Sequence, residues 1–396
     1  MKHSKGGPEG GVVRGPSQRA LAAVVGACLA VILPVEITVA YRHGSPPPRT
    51  SSAAAGGYIA DAMDSGAARP AVAPLTGRLT PHLLVAAPAT IPAATVGKIR
   101  GAKGVKAVEI VDAARALVAG KRVGLLGVDP SSFRAYTPKP TARSDALWRN
   151  VAAGDVAVSF VLGSDGGVRL GATVPAGGRL RQQPVRIGAY ATMGIGEVDA
   201  VTSRAVARSI GMPSANALIV SAPGSDLNKL AKALRRALPR AATTTIITPG
   251  IDYPKSENGG RTLTSRQLGI ALRAARSQLG VPYVWGGESL AEGGYDCSGL
   301  VQWSFARAGI AMPRVAADQA RTGPRLPFGQ ARLGDLLFWT NDPTAPGYIS
   351  HEAIYLGGGL MLVAPHTGDV VKIQQVYLRN FWGAVRVDPR VAARVA

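Results

Sequence analysis

Two stretches of this chain cannot bury a core, and they divide everything else. Residues 42–70 carry Ser45-Pro46-Pro47-Pro48 and Ser51-Ser52-Ala53-Ala54-Ala55-Gly56-Gly57, and residues 250–263 carry Pro254, Asn258, Gly259 and Gly260. Proline, glycine and small residues offer too little apolar surface to offset the entropy lost on ordering, so both read as linkers. The segments they separate, 71–249 and 264–390, are expected to fold as distinct domains. A chain of 396 residues with 46% hydrophobic content has room for two cores.

The N-terminus sets the compartment. Lys2, Lys5, Arg14 and Arg19 lie in residues 1–19, ahead of an apolar run over 20–41. That run is long enough to cross a bilayer, although Pro34 and Glu36 weaken its far end. The basic flank places residues 1–19 as a cytoplasmic tail. Two readings stand: an uncleaved signal anchor, or a signal peptide cut near Thr38-Val39-Ala40. Val25-Gly26-Ala27-Cys28 looks like a lipoprotein cleavage box, but apolar sequence continues beyond Cys28. Every reading puts the bulk of the chain outside the cytoplasm, membrane-bound or secreted to the cell wall.

Charge is lopsided. Only 17% of residues are charged, yet the formal net charge is +21. Such an excess suits anionic wall polymers or lipid, and also follows from an arginine-favouring composition. Nucleic acid is not expected: no basic run is interleaved with aromatics, and the chain is 5% aromatic.

Residues 71–249 read as an α+β domain of unknown role. Strands are expected at His82–Ala86, Val105–Val111, Arg122–Val128, Ala217–Val220 and Thr243–Ile247. Helices are expected near Pro92–Arg100 and along Leu227, Leu230, Ala231, Leu234 and Leu238, capped by Ser225 or Asp226. Two strand–helix–strand units suggest a ferredoxin-like core. Strand order and the phrase Gly127-Val128-Asp129-Pro130 loosely resemble extracellular domains of MacB-type permeases. No catalytic constellation lies here, so the region reads as a binding module or a spacer.

The last domain opens with a capping box at Thr264 and Gln267, followed by an apolar stripe of Leu268, Ala271, Leu272, Ala275 and Leu279. Cys297 is the only cysteine outside the apolar N-terminal run. It opens a predicted helix that Asp296 is placed to cap, where unpaired N–H groups favour a thiolate. Gly299 leaves space for a substrate near the backbone, and the Cys297 amide is a donor for a developing oxyanion. Of five histidines, His3, His43 and His82 lie elsewhere. His351 begins an alternating strand and is the best base. No His/Cys/Asp cluster has metal-site spacing, and no cofactor is expected.

Tyr283-Val284-Trp285-Gly286-Gly287, Asp296-Cys297-Ser298-Gly299-Leu300-Val301, Met312-Pro313-Arg314, Gly334-Asp335-Leu336-Leu337-Phe338, Ser350-His351-Glu352-Ala353-Ile354-Tyr355-Leu356-Gly357 and Ala364-Pro365-His366-Thr367-Gly368-Asp369 occur in this order. The set resembles NlpC-type cell-wall cysteine peptidases over about a third of the chain. The resemblance implies a papain-like α+β domain, N-terminal helices packed on a small antiparallel sheet. It implies hydrolysis of peptidoglycan stem peptides, most often between D-glutamate and diaminopimelate. Carried over, Cys297 is the nucleophile, His351 the base and Tyr283 the oxyanion helper. Asp296 and Ser298 line the cleft and meet the stem's free amine; Arg314 and Gln319 are substrate-side candidates with a structural role equally open. One position departs. The family places a polar residue twelve positions after the base to orient it, and here that residue is Val363. A backbone carbonyl or water orients His351, or His366 reaches across as third member, or catalysis is weakened or lost. A non-catalytic wall-binding scaffold and an amidase or acyltransferase on the same fold are the alternatives.

Overall fold

The structure, a computed structural model, describes residues 58–61, 71–179, 181–247 and 260–396. The expected tail 1–19, the apolar run 20–41 with Cys28, the linker 42–70 apart from 58–61, and linker residues 250–259 lie outside the described residues. Among the described residues no helix is long and apolar enough to cross a membrane. The described residues belong to one compact unit of mixed α and β structure.

The first part is built on a nine-stranded sheet. Its strands are β1 (Leu83–Ala86), β2 (Ala107–Val118), β3 (Lys121–Val128), β4 (Val156–Val158), β5 (Thr173–Gly177), β6 (Gln182–Tyr190), β7 (Ala200–Ser203), β8 (Ala217–Ser221) and β9 (Thr243–Ile246). The order is β3-β7-β4-β6-β5-β2-β8-β1-β9, and β3 also pairs with β2. Two units follow from this. Strands β2-β8-β1-β9 pair antiparallel throughout. With helices Ala93–Arg100 and Leu227–Arg235 they make the βαββαβ order of a ferredoxin-like unit. Asp226, not Ser225, caps the second helix, accepting from the Lys229 amide at 3.0 Å. Leu83, Val85, Val96, Ile99, Leu230 and Leu234 form one core between helices and sheet.

The second unit had no forewarning in the sequence. Strands β2, β3, β7, β4, β6 and β5 close on themselves into a six-stranded barrel, because β2 pairs with both β3 and β5. Val118, Val123, Leu125, Val156, Val158 and Ile187 fill it. It is inserted between the second and third strands of the ferredoxin-like unit, and β2 runs through both.

The C-terminal part opens with the helix Ser265–Arg276. The expected capping box is formed: the Gln267 amide donates to Thr264 Oγ1 at 3.2 Å, and Gln267 Oε1 accepts from the Thr264 amide at 3.1 Å. Ala271 and Ala275 are buried, whereas Leu279 lies past the helix end and is exposed. Two short strands, β10 (Glu288–Ser289) and β11 (Gly294–Tyr295), frame the approach to the helix Cys297–Arg307. A six-stranded sheet follows: β12 (Arg325–Leu326), β13 (Leu336–Trp339), β14 (His351–Gly357), β15 (Leu360–Val363), β16 (Lys372–Gln375) and β17 (Phe381–Val385), in the order β12-β17-β13-β14-β15-β16, all antiparallel. One face carries Leu336, Phe338, Ile354 and Leu362 against the Cys297 helix, with Leu300, Val301 and Phe305. The other carries Leu337, Trp339, Ala353, Met361 and Val363. The alternation of a strand thus assigns each β14 residue to a face.

Candidate active site

Asp296 builds the start of the nucleophile helix. Its backbone is extended and its Oδ1 accepts from the Gly299 amide at 2.6 Å. The same carboxylate accepts from Ser298 Oγ at 3.2 Å, from Arg314 Nη1 at 3.1 Å and Nη2 at 2.7 Å, and from the Gly286 amide at 3.0 Å. The helix start is pressed against the preceding loop. A Cβ on Gly299 would stand 2.1 Å from the Gly287 carbonyl oxygen. The missing side chain therefore admits that carbonyl, not a substrate as expected from sequence.

Cys297 is buried as a free thiol. Burial pushes its pKa well up, Asp296 and Glu352 push it further, and the Glu352 amide, bonded to the sulfur, opposes them. His351 is equally enclosed. Burial pulls its pKa down to about 4, the nearby His366 adds to this, and Asp296 opposes it. The effect of the helix N-terminus, which favours a thiolate, is thus opposed: the cap that orders the helix puts a carboxylate beside the sulfur, and burial disfavours its charge. Both shifts favour the neutral thiol and the neutral imidazole. Tyr283 is buried too, its amide bonded to the Asp369 carbonyl at 2.8 Å. Burial raises its hydroxyl pKa well above normal, followed by the charges of Cys297 and Asp296, so it stays a donor.

A buried thiol heads a capped helix, and a buried imidazole opens the strand packed against it. The NlpC/P60 family profile matches residues 280–389. Residues 280–389 are an NlpC/P60 domain. Peptidoglycan endopeptidase RipB of Mycobacterium tuberculosis H37Rv is 40% identical over 116 residues, 26% of this chain and 46% of that protein. Gamma-D-glutamyl-L-lysine dipeptidyl-peptidase of Bacillus subtilis 168 is 42% identical over 112 residues, 28% of this chain and 37% of that protein. The chain thus spans less than half the length of these relatives. Among solved structures, RipD of M. tuberculosis, described as a non-catalytic NlpC/p60 domain protein adapted to peptidoglycan binding, shares 32% identity over 31% of this chain and 99% of its own, at TM-score 0.27.

Within the NlpC/P60 domain, the remaining candidates sort by what they touch. Ser298 Oγ sits between Asp296 and Arg314, 2.9 Å from Arg314 Nη1. Arg314 spends its guanidinium on Asp296, Ser298 and Glu288. Burial disfavours its charge, but Asp296 and Glu288 outweigh burial and raise its pKa. Gln319 is fully buried, donating to the Ser298 and Pro313 carbonyls at 2.9 Å each. It staples the Met-Pro-Arg segment to the Cys297 helix, which is the structural one of the two roles left open for it. Val363 is buried on the same sheet face as Ala353. His366 does not supply the missing partner here: its Nδ1 lies 3.0 Å from the Thr367 carbonyl and its Nε2 3.9 Å from Asp369. What backs the His351 ring is aromatic. Trp339, its register partner on β13, lies 5.9 Å away by ring centroids and is itself stacked on Tyr377 at 4.8 Å.

Three groups escaped sequence reasoning. Trp339 was read only as strand. Glu352 is fully buried, and neither of its oxygens has a hydrogen-bond partner among the described residues; burial, then Asp296, push its pKa well above the usual carboxylate range. A charged residue inside a buried, alternating strand was the available signal. The third, Asp165, lies in the other domain. Burial lifts its carboxyl to about 6, with Ser164 and His366 opposing.

Proposed function

We propose that this chain is a peptidoglycan hydrolase that cleaves stem-peptide amide bonds, between D-glutamate and diaminopimelate, through a thioester on a papain-like domain. The reading is supported by the Asp296-capped helix that begins at Cys297 and packs against β14, the strand that begins at His351, within the NlpC/P60 domain. Cys297 Sγ bonds to the scissile carbonyl carbon while its proton passes to His351. The carbonyl oxygen gathers charge between the Tyr283 hydroxyl and the Cys297 amide, one of the helix N–H groups without an intrahelical acceptor. Collapse breaks the C–N bond, and His351 returns the proton to the departing amine. Water, deprotonated by His351, then breaks the C–S bond. Because thiol and imidazole rest neutral, proton transfer accompanies attack.

Delivery to the wall rests on residues 20–41 acting as an anchor or cleaved signal, and the net charge of +21 suits anionic wall polymers. A second reading, wall binding without cleavage, is motivated by Val363, which leaves His351 without a polar partner. Purified peptidoglycan incubated with the protein, and products identified by mass spectrometry, separates the two. Stem cleavage lost in Cys297→Ala supports the hydrolase. Equal wall binding by both proteins with no products supports the scaffold. Val363→Glu is expected to raise kcat several-fold, about 3–10-fold, if imidazole orientation limits the rate; an unchanged rate shows that Trp339 already holds the ring.

A further inference from the structure

The positive charge of this chain is clustered. Five of its eleven lysines, Lys98, Lys103, Lys106, Lys229 and Lys232, lie on the two helices of the ferredoxin-like unit or in the loop after the first of them. An arginine-favouring composition does not account for a cluster of lysines. Helices Ala93–Arg100 and Leu227–Arg235 pack on one face of the sheet β2-β8-β1-β9 and bury Val96, Ile99, Leu230 and Leu234 in a common core. Ser225 Oγ, ahead of the second helix, donates to the Gly104 carbonyl at 3.3 Å and ties the loop of Lys103 and Lys106 to that helix. The outer surfaces of both helices and the loop therefore form one continuous face.

All five lysines and Arg236 are exposed. Lys229, Lys232 and Arg236 fall at i, i+3 and i+7, opposite the buried Leu230 and Leu234, in a row that advances about 5 Å from one charge to the next. Asp226 is the one acid on these helices and that loop, and it meets Lys229 at 3.4 Å. Elsewhere several arginines are matched to carboxylates: Arg134 to Asp145, Arg186 to Asp155 and Arg386 to Asp335. Folding does not explain the row. Like charges one turn apart repel, and Lys229 stands in the first turn, where the helix dipole disfavours a cation. An anion laid along the row relieves both. Between the cations the outer surface holds small or polar residues, among them Ala94, Gly97 and Asn228. A helix that docks on a bilayer buries an apolar face in it; here the apolar faces are packed on the sheet.

We propose that this face binds a linear phosphodiester polyanion of the cell wall, laid along the helix Leu227–Arg235. Lysine meets a phosphate as a compact point charge, without the paired geometry that arginine imposes, which suits a flexible polymer with evenly spaced charges. The inference gives the wall affinity suggested by net charge a definite surface. It rests on the wall-directed reading of the chain and not on the cysteine chemistry.

The test uses the full chain in neutral detergent micelles, with labelled poly(glycerol phosphate) as the probe and fluorescence anisotropy as the readout. The triple variant Lys98→Gln/Lys232→Gln/Arg236→Gln should weaken binding at least about 10-fold and flatten its dependence on salt, because fewer counterions are released. A second triple variant, Arg266→Gln/Arg273→Gln/Arg276→Gln, removes the same charge from exposed positions on the helix Ser265–Arg276. It should change the affinity by less than about 2-fold. Should the first triple variant fold poorly, Lys232→Glu alone repeats the measurement. Equal losses in the two triple variants overturn the proposal, because net charge and not this face then holds the polymer. Absence of binding by the wild type overturns it as well. Phosphatidylglycerol added to the micelles at equal charge should leave the polymer bound; complete displacement overturns the proposal in favour of a bilayer surface. Turnover of a soluble stem peptide should be the same in the wild type and the first triple variant. A peptide left uncut by the wild type sinks the hydrolase reading alone.

Discussion

At Asp296, five donors converge on one carboxylate: two amides, one hydroxyl and both ends of a guanidinium. Sequence alone placed this residue as a cap and as a cleft residue, and only the first role is visible in its contacts. The cause is Arg314, whose reach from another loop no local pattern encodes. Around it the sulfur and imidazole both rest uncharged, which has a consequence for pH. A base with its pKa at about 4 stays neutral until the solution is strongly acidic. The acid limb of kcat/KM is therefore expected near pH 4 and not near 6.5, measurable on a soluble stem peptide; a limb at the higher value shows that substrate rehydrates His351. The same depression acts on stability. The unfolded histidine takes up its proton below 6.5, the folded one only near 4, so folding weakens on descent through that window, by at most about 3 kcal/mol. Cys297, His351 and Tyr283 were legible because their residue types and order are distinctive. Trp339 and Glu352 were not, because each meets the site through a neighbour brought in by tertiary packing.

Among the elements, the nucleophile helix depends on a close approach that its propensities do not explain. Gly299 sits inside the first turn, a position where glycine weakens a helix. It is tolerated because the Gly287 carbonyl occupies the space where a side chain would begin. Gly299→Ala is expected to push the helix start and the Tyr283 loop apart, costing about 1–3 kcal/mol by overpacking and lowering turnover along with Tm. A calorimetric scan with unchanged Tm would show that the loop simply moves aside. The helices Ser265–Arg276 and Cys297–Arg307 and the inner strand β14 follow from capping residues and alternation, and were readable; the outer strands β12 and β16 were not. In the other domain the ferredoxin-like strands were readable one by one. The barrel was not, because β4 (Val156–Val158) and β7 (Ala200–Ser203) are very short and the β3–β7 and β4–β6 pairs are parallel, so their partners are far off in sequence.

For the whole molecule, two expected domains share contacts across the candidate site. Thr344 is the pivotal residue: its hydroxyl oxygen accepts from the Thr192 amide and its carbonyl accepts from the Thr141 hydroxyl. Thr344→Val removes the first bond and leaves the buried Thr192 amide and Asp342 carboxylate short of a partner. The expected cost is about 1–3 kcal/mol, with one thermal transition resolving into two as the domains uncouple. A single transition at an unchanged temperature would place the coupling elsewhere. The threading of β2 through both halves of the first domain also governs the order of events on the ribosome. Leu83 on β1 finds its partners only at Val220 and Ile246. At about 5–20 residues per second, that apolar strand waits on the order of ten seconds with both edges bare. The emerging chain thus carries an unpaired apolar strand throughout that interval, and the whole inserted barrel must be made before β1 can be laid in place.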